Sequence, residues 1–241
     1  MKSPAEPILS LETATPVCSA AIRLTGGEIR EERATGMGVH SELTFVFIHR
    51  LLGQAGLEAQ DLGSVVVSAG PGSFTGLRVA SSAVKGLLFR TDVPLYAVDT
   101  LASLAMGAWL RGGAAGGCWT VVDARRNHLY MRKWIFEPGG IVPDGESGVW
   151  ELEEILRRRS SGGGLQSRVP VIGTGVERLI EAARNMDLPP EEWPEEPGNE
   201  CVSAVHPLKV PDGVLKRFSG DLMKKVAPEH FEPYYYGDKK T

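Results

Sequence analysis

Val65-Val66-Val67-Ser68-Ala69-Gly70-Pro71-Gly72-Ser73-Phe74-Thr75-Gly76-Leu77-Arg78 runs from an apolar stretch through a Gly/Pro turn straight into helical spacing. The three valines predict a buried strand, Gly70 and Gly72 admit backbone conformations closed to other residues, and the apolar spacing over Leu77–Phe89 predicts a helix. Strand, tight turn and helix N-terminus in that order can gather backbone N–H groups into a pocket suited to an anion.

Working outward, Ile8–Thr13, Cys18–Leu24 and Glu28–Ala34 read as three strands joined by the turn signals Ala14-Thr15-Pro16 and Gly26-Gly27. A helix follows, with Ser41 as its expected N-cap and Leu43, Val46, Phe47, Leu51 and Leu52 as its apolar side. Beyond the opening stretch come a strand at Leu95–Val98 and a helix at Thr100–Leu110, so the order is β-β-β-α-β-α-β-α. The pattern then begins again: strands at Cys118–Val122, at Leu129–Phe136 and after Gly139-Gly140, a helix marked by Leu152, Ile155 and Leu156, a strand at Val169–Ile172 and a helix at Val176–Arg184. Two β-β-β-α-β-α lobes are the layout of the actin, sugar-kinase and Hsp70 class. The predicted fold is therefore α/β, a two-lobed actin-like/ribonuclease-H-like ATPase fold (ASKHA class) in which each lobe is a mixed sheet flanked by helices. The lobes are expected at 1–99 and 100–241, with the last helix and tail as candidates to return to the first lobe. Ser160–Gly164 reads as a flexible loop, and Leu188–Asn199, rich in Pro and Glu, as a solvated connection.

Composition narrows the function classes. The chain has 241 residues, 42% of them hydrophobic and 23% charged, and no apolar run reaches the ~18 residues of a membrane span. The N-terminus lacks a basic region ahead of an apolar core, which predicts a cytoplasmic protein that meets no membrane. A net charge of −4 gives no overall attraction to a polyanion, so any nucleic acid is expected to be held by a partner. Cys18, Cys118 and Cys201 are widely separated and form no C-x-x-C pair, which predicts free thiols. His40 and His49, nine residues apart, fall on opposite faces of a helix, and His128, His206 and His230 are scattered. No metal site is expected.

Several residues are candidates for chemistry. The Gly70–Gly76 turn is not a Walker A loop, because it has no Lys to neutralise outer phosphates. Ser73 or Thr75 either caps the helix or contacts a ligand. Arg78 opposes the helix dipole in the first turn, which calls for an anionic neighbour: Glu12 or a phosphate. Glu12-Thr13 ends the first strand, where an acidic residue either meets a metal-bound phosphate or is merely solvated in its hairpin. Asp123 with Arg125 forms a structural ion pair or a polar wall in the equivalent hairpin of the second lobe, and Gly173-Thr174-Gly175 is a weaker candidate for close approach to a ligand.

Ile8-Leu-Ser-Leu-Glu-Thr-Ala-Thr15, His40-Ser-Glu-Leu43, Gly70-Pro-Gly-Ser-Phe-Thr-Gly-Leu-Arg78, Pro94–Val98 and Val122-Asp-Ala-Arg-Arg126 resemble the TsaB family in order and spacing, with the GPGSFTGLR string the most specific. The resemblance implies a non-catalytic scaffold that supports its relative TsaD, with the ATPase TsaE, in making threonylcarbamoyladenosine beside the tRNA anticodon. It implies no cofactor bound alone, ATP or ADP at the interface with TsaD and TsaE, a homodimer when TsaD is absent, and contact with tRNA only through the complex. TsaD has two metal-binding histidines four residues apart after its own Gly-Pro-Gly turn; Thr100 and Leu104 fall at those positions here. The small-residue ridge Gly76, Val79, Ala80, Ala83 and Gly86 allows another helix to approach closely, or packs inside the lobe. The resemblance adds that both helices of the first lobe, the earlier one through Leu43, Phe47 and Arg50, meet their counterparts in TsaD. Val79→Asp or Ala83→Arg is then expected to abolish that pairing in a folded monomer. Two other functions stay open: a glycoprotease-type metallopeptidase, and a phosphotransferase of the sugar-kinase class.

Overall fold

A computed structural model describes residues 3–36, 38–112, 116–160, 169–186, 188, 195–196 and 202–217. They divide into two compact units, one built from 3–103 with 202–217, the other from described residues of 104–201.

In the first unit β1 (Ile8–Glu12), β2 (Val17–Arg23) and β3 (Ile29–Thr35) form an antiparallel meander. β4 (Ser64–Ser68) lies parallel to β1, and β5 (Leu95–Val98) parallel to β4. β11 (Lys216–Arg217) pairs antiparallel with β5, so the sheet reads β11-β5-β4-β1-β2-β3. Alternation along the strands sends Leu9, Leu11, Cys18, Ala20, Ile22, Val65, Val67, Leu95 and Ala97 to one face. Helices α1 (Val39–Ala55) and α2 (Phe74–Leu87) cover that face with Phe47, Ile48, Leu51, Ala80, Ala83 and Val84. Two 3-10 turns, Pro207–Lys209 and Asp212–Val214, belong to the segment that returns to this unit, where Arg23 Nη1 donates to the Leu208 carbonyl at 2.8 Å.

The second unit repeats the plan. β6 (Cys118–Asp123), β7 (His128–Glu137) and β8 (Gly140–Glu151) form the meander, α4 (Leu152–Ser160) follows, and β9 (Val171–Ile172) lies parallel to β6 ahead of α5 (Val176–Asn185). With β10 (Glu195–Glu196) the order is β10-β9-β6-β7-β8, the first unit's β5-β4-β1-β2-β3 over again. Val121, Leu129 and Met131 pack there beneath Ile155, Leu156 and Leu179. Helix α3 (Thr100–Leu110) joins the units in sequence. Each unit is a mixed sheet flanked by helices, and the chain has the two-lobed actin-like, ribonuclease-H-like fold.

Local departures have physical causes. α1 starts at Val39, not after Ser41: Gly38 takes the left-handed entry conformation (φ 78°), and the Ser41 hydroxyl turns back to the Gly38 carbonyl at 3.0 Å. Thr44 and Ile48 join Phe47, Leu51 and Leu52 in the core, whereas Val46 lies on the outer side of the helix at 37% exposure. β10 falls inside the stretch expected to be a solvated connection. Cys18 and Cys118 are buried thiols outside any disulfide among the described residues. Cys201, His230, the loop at 161–164, most of 188–199, the last helix and the tail at 234–236 lie outside the described residues. Among the described residues no helix is long and apolar enough to cross a membrane.

The entry to α2 is fixed by contact between backbones. Ser73 N–H donates to the Ala14 carbonyl at 2.7 Å, and a Cβ on Gly72 would sit 2.1 Å from that same oxygen. A Cβ on Gly76 would sit 1.9 Å from the Thr13 carbonyl oxygen. Gly86, later on the same helix, has open space around it. Gly76→Ala should therefore lower stability by about 2 kcal/mol or more, since the obstruction is backbone that cannot rotate away. Gly86→Ala should raise it by about 0.5–1 kcal/mol through helix propensity alone. Urea unfolding of both variants measures the contrast.

Candidate functional site

The corner at Gly70–Arg78 and the hairpin at Glu12–Thr15 come together. Thr13 Oγ1 donates to the Gly76 carbonyl at 2.8 Å, and the Gly70 carbonyl, at a residue with φ 104°, accepts from Thr100 N–H at 2.8 Å. Ser73 is the helix cap: its hydroxyl accepts from Gly76 N–H at 3.2 Å. It also takes up donors of the supposed anion pocket, because Ser73 N–H is committed to Ala14 and Gly76 N–H to Ser73. Thr75 is exposed.

Glu12 is neither solvated nor paired with Arg78. Its side chain is fully buried; Oε1 accepts from Ala14 N–H at 2.8 Å and Oε2 from the Ser68 hydroxyl. Arg78 is exposed and lies over the Phe74 ring, 4.4 Å from its centroid, in a cation–π contact. Burial pushes the Glu12 carboxyl from its usual 4.5 up to about 7, against the opposing pull of Ser68, Ala14 N–H and Ser103.

Around this corner α1 and α2 leave an apolar surface uncovered. Phe45 is 54% exposed and Phe74 51%. With Ser41, Thr75, Arg78, Val79 and Ser82 they line a shallow groove of about 330 Å³. The outer stripe of α2 continues through Gly86 to Phe89, which is 65% exposed. The expected interface residues divide across this surface. Val79 and Gly86 are on the outer side, Arg50 is exposed beside Glu32 at 3.4 Å, and Leu43 is half-buried against the core. Phe47, Gly76, Ala80 and Ala83 are buried within the unit. A helix on a sheet has to bury one face, and the small residues are on that face. The expectation for Ala83→Arg is corrected accordingly: the substitution would disrupt the core before it touched an interface. Phe45 and Phe74 escaped the sequence reading, although two Phe residues at 45 and 47 cannot share one helix face.

The second unit's candidates are structural. Asp123 accepts from the backbone N–H of Arg125 at 2.7 Å, and its ion-pair partner is Arg178 on α5, not the Arg125 guanidinium. Arg125 and Arg126 adopt positive φ in a tight hairpin. Gly173 is a packing glycine, since a Cβ there would sit 2.1 Å from the Val121 carbonyl oxygen. Thr100 and Leu104 are both fully buried, and a leucine has no atom that can ligate a metal.

Glu12 makes stability fall as pH rises. Its folded pKa lies above its unfolded one, so the native state holds the extra proton between about 4.5 and 7, and stability declines through that window by up to about 3 kcal/mol. Glu12→Gln should remove the decline: relative to the unsubstituted protein, the variant gains stability between about pH 5 and pH 8. Denaturant titrations at the two pH values test it, and parallel curves would exclude this carboxyl as the cause.

Comparison with known proteins shows what these features resemble. Residues 37–143, from the start of α1 into β8, match the model of the TsaD family, described as tRNA N6-adenosine threonylcarbamoyltransferase. The tRNA threonylcarbamoyladenosine biosynthesis protein TsaB of Escherichia coli is 26% identical over 228 residues, which cover 95% of this chain and 93% of that protein. The tRNA N6-adenosine threonylcarbamoyltransferase of Thermus thermophilus is 32% identical over 213 residues, covering 83% of this chain and 57% of the enzyme. The solved structure of YeaZ from Pseudomonas aeruginosa superposes with a TM-score of 0.69 at 23% identity, over 95% of this chain and 98% of that one, and shares the fold. This chain is thus similar to a TsaB protein along nearly the whole length of both, and to the TsaD family over the helices that form the exposed groove.

Proposed function

We propose that this chain is a non-catalytic subunit that binds a TsaD homologue and, with a TsaE homologue, supports transfer of the threonylcarbamoyl group to the adenosine beside the tRNA anticodon. The observation that carries this reading is the uncovered apolar surface of α1 and α2, where Phe45 and Phe74 are each more than half exposed on a soundly packed lobe. Exposed aromatic residues framed by polar ones such as Ser41 and Ser82 are the chemistry of a protein interface, where a few aromatic anchors supply most of the binding energy. The names of the relatives support the pathway: one is a threonylcarbamoyladenosine biosynthesis protein, another the transferase itself. Leu104, at the place of a TsaD metal ligand, supports a role in binding over one in catalysis.

In this reading the subunit works in the cytoplasm and meets tRNA only through the complex. It binds no cofactor alone, ATP or ADP being held where it meets TsaD and TsaE. When the TsaD homologue is absent, the same face joins two copies of the chain.

Reconstitution of tRNA threonylcarbamoylation from purified components, with and without this chain, tests the proposal. Activity that needs the chain supports it; zinc-restored peptidase activity or tight ATP binding by the chain alone would replace it with one of the enzymatic functions. Phe74→Asp and Val79→Asp should each weaken co-elution with the TsaD homologue at least ~10-fold, while thermal unfolding moves little, because both side chains reach the outer face. Ala83→Arg should instead lower the unfolding temperature sharply.

A further inference from the structure

The hairpin that joins β6 to β7 holds a conformation its residues do not favour. Asp123 accepts from Arg125 N–H at 2.7 Å, Ala124 N–H donates to the His128 carbonyl at 3.2 Å, and His128 N–H to the Arg125 carbonyl at 3.2 Å. Within that turn Arg125 and Arg126 take φ of 66° and 51°. Glycine and asparagine adopt left-handed backbone at little cost, whereas an arginine Cβ crowds the following carbonyl. Strain of this kind at two adjacent residues points to a use for their side chains. Elsewhere arginines face carboxylates, as Arg23 does Glu6, Arg50 Glu32 and Arg158 Glu154. Here the carboxylate of the turn is spent on the Arg125 backbone and on Arg178. Neither the Arg125 nor the Arg126 guanidinium has a hydrogen bond or ion pair among the described residues. Arg125, Arg126 and Asn127 are all exposed, and the tip they form has no apolar anchor of the kind a protein interface needs. Arg126 also borders a hollow of about 280 Å³ where Glu151 and Glu153 stand; Glu151 lies 3.7 Å from His128 Nε2, and Glu153 pairs with Arg157. The two carboxylates turn an anion away from the hollow and leave the tip as the place for it.

We propose that Arg125 and Arg126 contact the phosphate backbone of tRNA once the assembled complex presents it to this turn. The inference rests on the function proposed above and adds a contact made by this chain itself. A guanidinium fork matches phosphate oxygens, and two on adjacent residues reach neighbouring phosphates of one strand. Such contacts fix the position of an RNA and read none of its sequence, which is what an accessory subunit has to supply. The formal charge of −4 keeps the chain from recruiting RNA unaided, so the two arginines act only on an RNA already held beside them. The strained turn holds the backbone of both residues in place before the RNA arrives, which lowers the cost of ordering them.

The test is tRNA binding by the complex of the full chain with the TsaD homologue, followed by fluorescence anisotropy across a salt series. Arg125→Asn combined with Arg126→Gly suits the turn better, so Tm of the chain should hold or rise and co-elution with the TsaD homologue should be unchanged. The same variant should weaken tRNA binding at least ~5-fold and make the dependence of log K on log salt shallower by about 1–2. Arg125→Lys with Arg126→Lys keeps both charges and should stay within ~3-fold of the unsubstituted complex. Unchanged affinity and salt slope in an intact complex would overturn the proposal and leave the turn a structural one. Loss of co-elution in the Asn/Gly variant would overturn it in favour of a protein contact, and ATP binding that only this variant loses in favour of a nucleotide site. Failure of the unsubstituted chain to bind the TsaD homologue at all would overturn the function on which the proposal rests.

Discussion

Two backbone oxygens, those of Thr13 and Ala14, hold the first unit in shape. They follow the end of β1 and face the turn into α2 at distances that leave no room for a side chain, so glycine is the residue type the contact admits at 72 and 76. The gain is rigidity: Ser73 N–H, Gly76 N–H and the Thr13 hydroxyl are each satisfied within the corner, which fixes where α2 starts and in which direction it leaves. His40 extends the lock to α1, its ring nitrogen 2.8 Å from the Thr15 carbonyl. One short hairpin thus sets both helices whose outer sides form the groove.

The same helices serve two environments at once. Toward the sheet, α2 presents Ala80, Ala83 and Val84, small enough for close approach and almost wholly removed from water. Away from it stand Phe74, Arg78 and Val79, with the guanidinium stacked on the ring. Burial of the first set contributes to the core of the lobe, while the second set remains at its surface.

Much of this was legible in the chain. The meanders, the parallel strand after each helix and the repeat of the plan followed from period-two alternation broken by Gly/Pro turns, and the strand–turn–helix at Gly70–Gly76 needed only its residue types. What escaped was set by tertiary contact. β10 and β11 are two-residue strands, Glu195-Glu196 and Lys216-Arg217, with no apolar alternation to announce them. Ala80 and Ala83 look alike to a core and to an interface, and only packing chooses. Glu12 reads as a polar residue at a strand end, since nothing nearby in sequence reveals that α3 and β4 close over it. Arg178 lies 55 residues from Asp123 and has no local signal at all.

Gly173 gives the repeat an unexpected kind of signature. It follows β9 and presses on the Val121 carbonyl of β6, as Gly72 follows β4 and presses on the carbonyl just past β1. β9 is to β6 what β4 is to β1, but the depth differs: Gly173 sits opposite Val121 within β6, whereas Gly72 lies four residues past β4 and meets Ala14 beyond the end of β1. In each unit the passage from that strand to the helix after it is thus made by backbone pressed on backbone, with no side chain between.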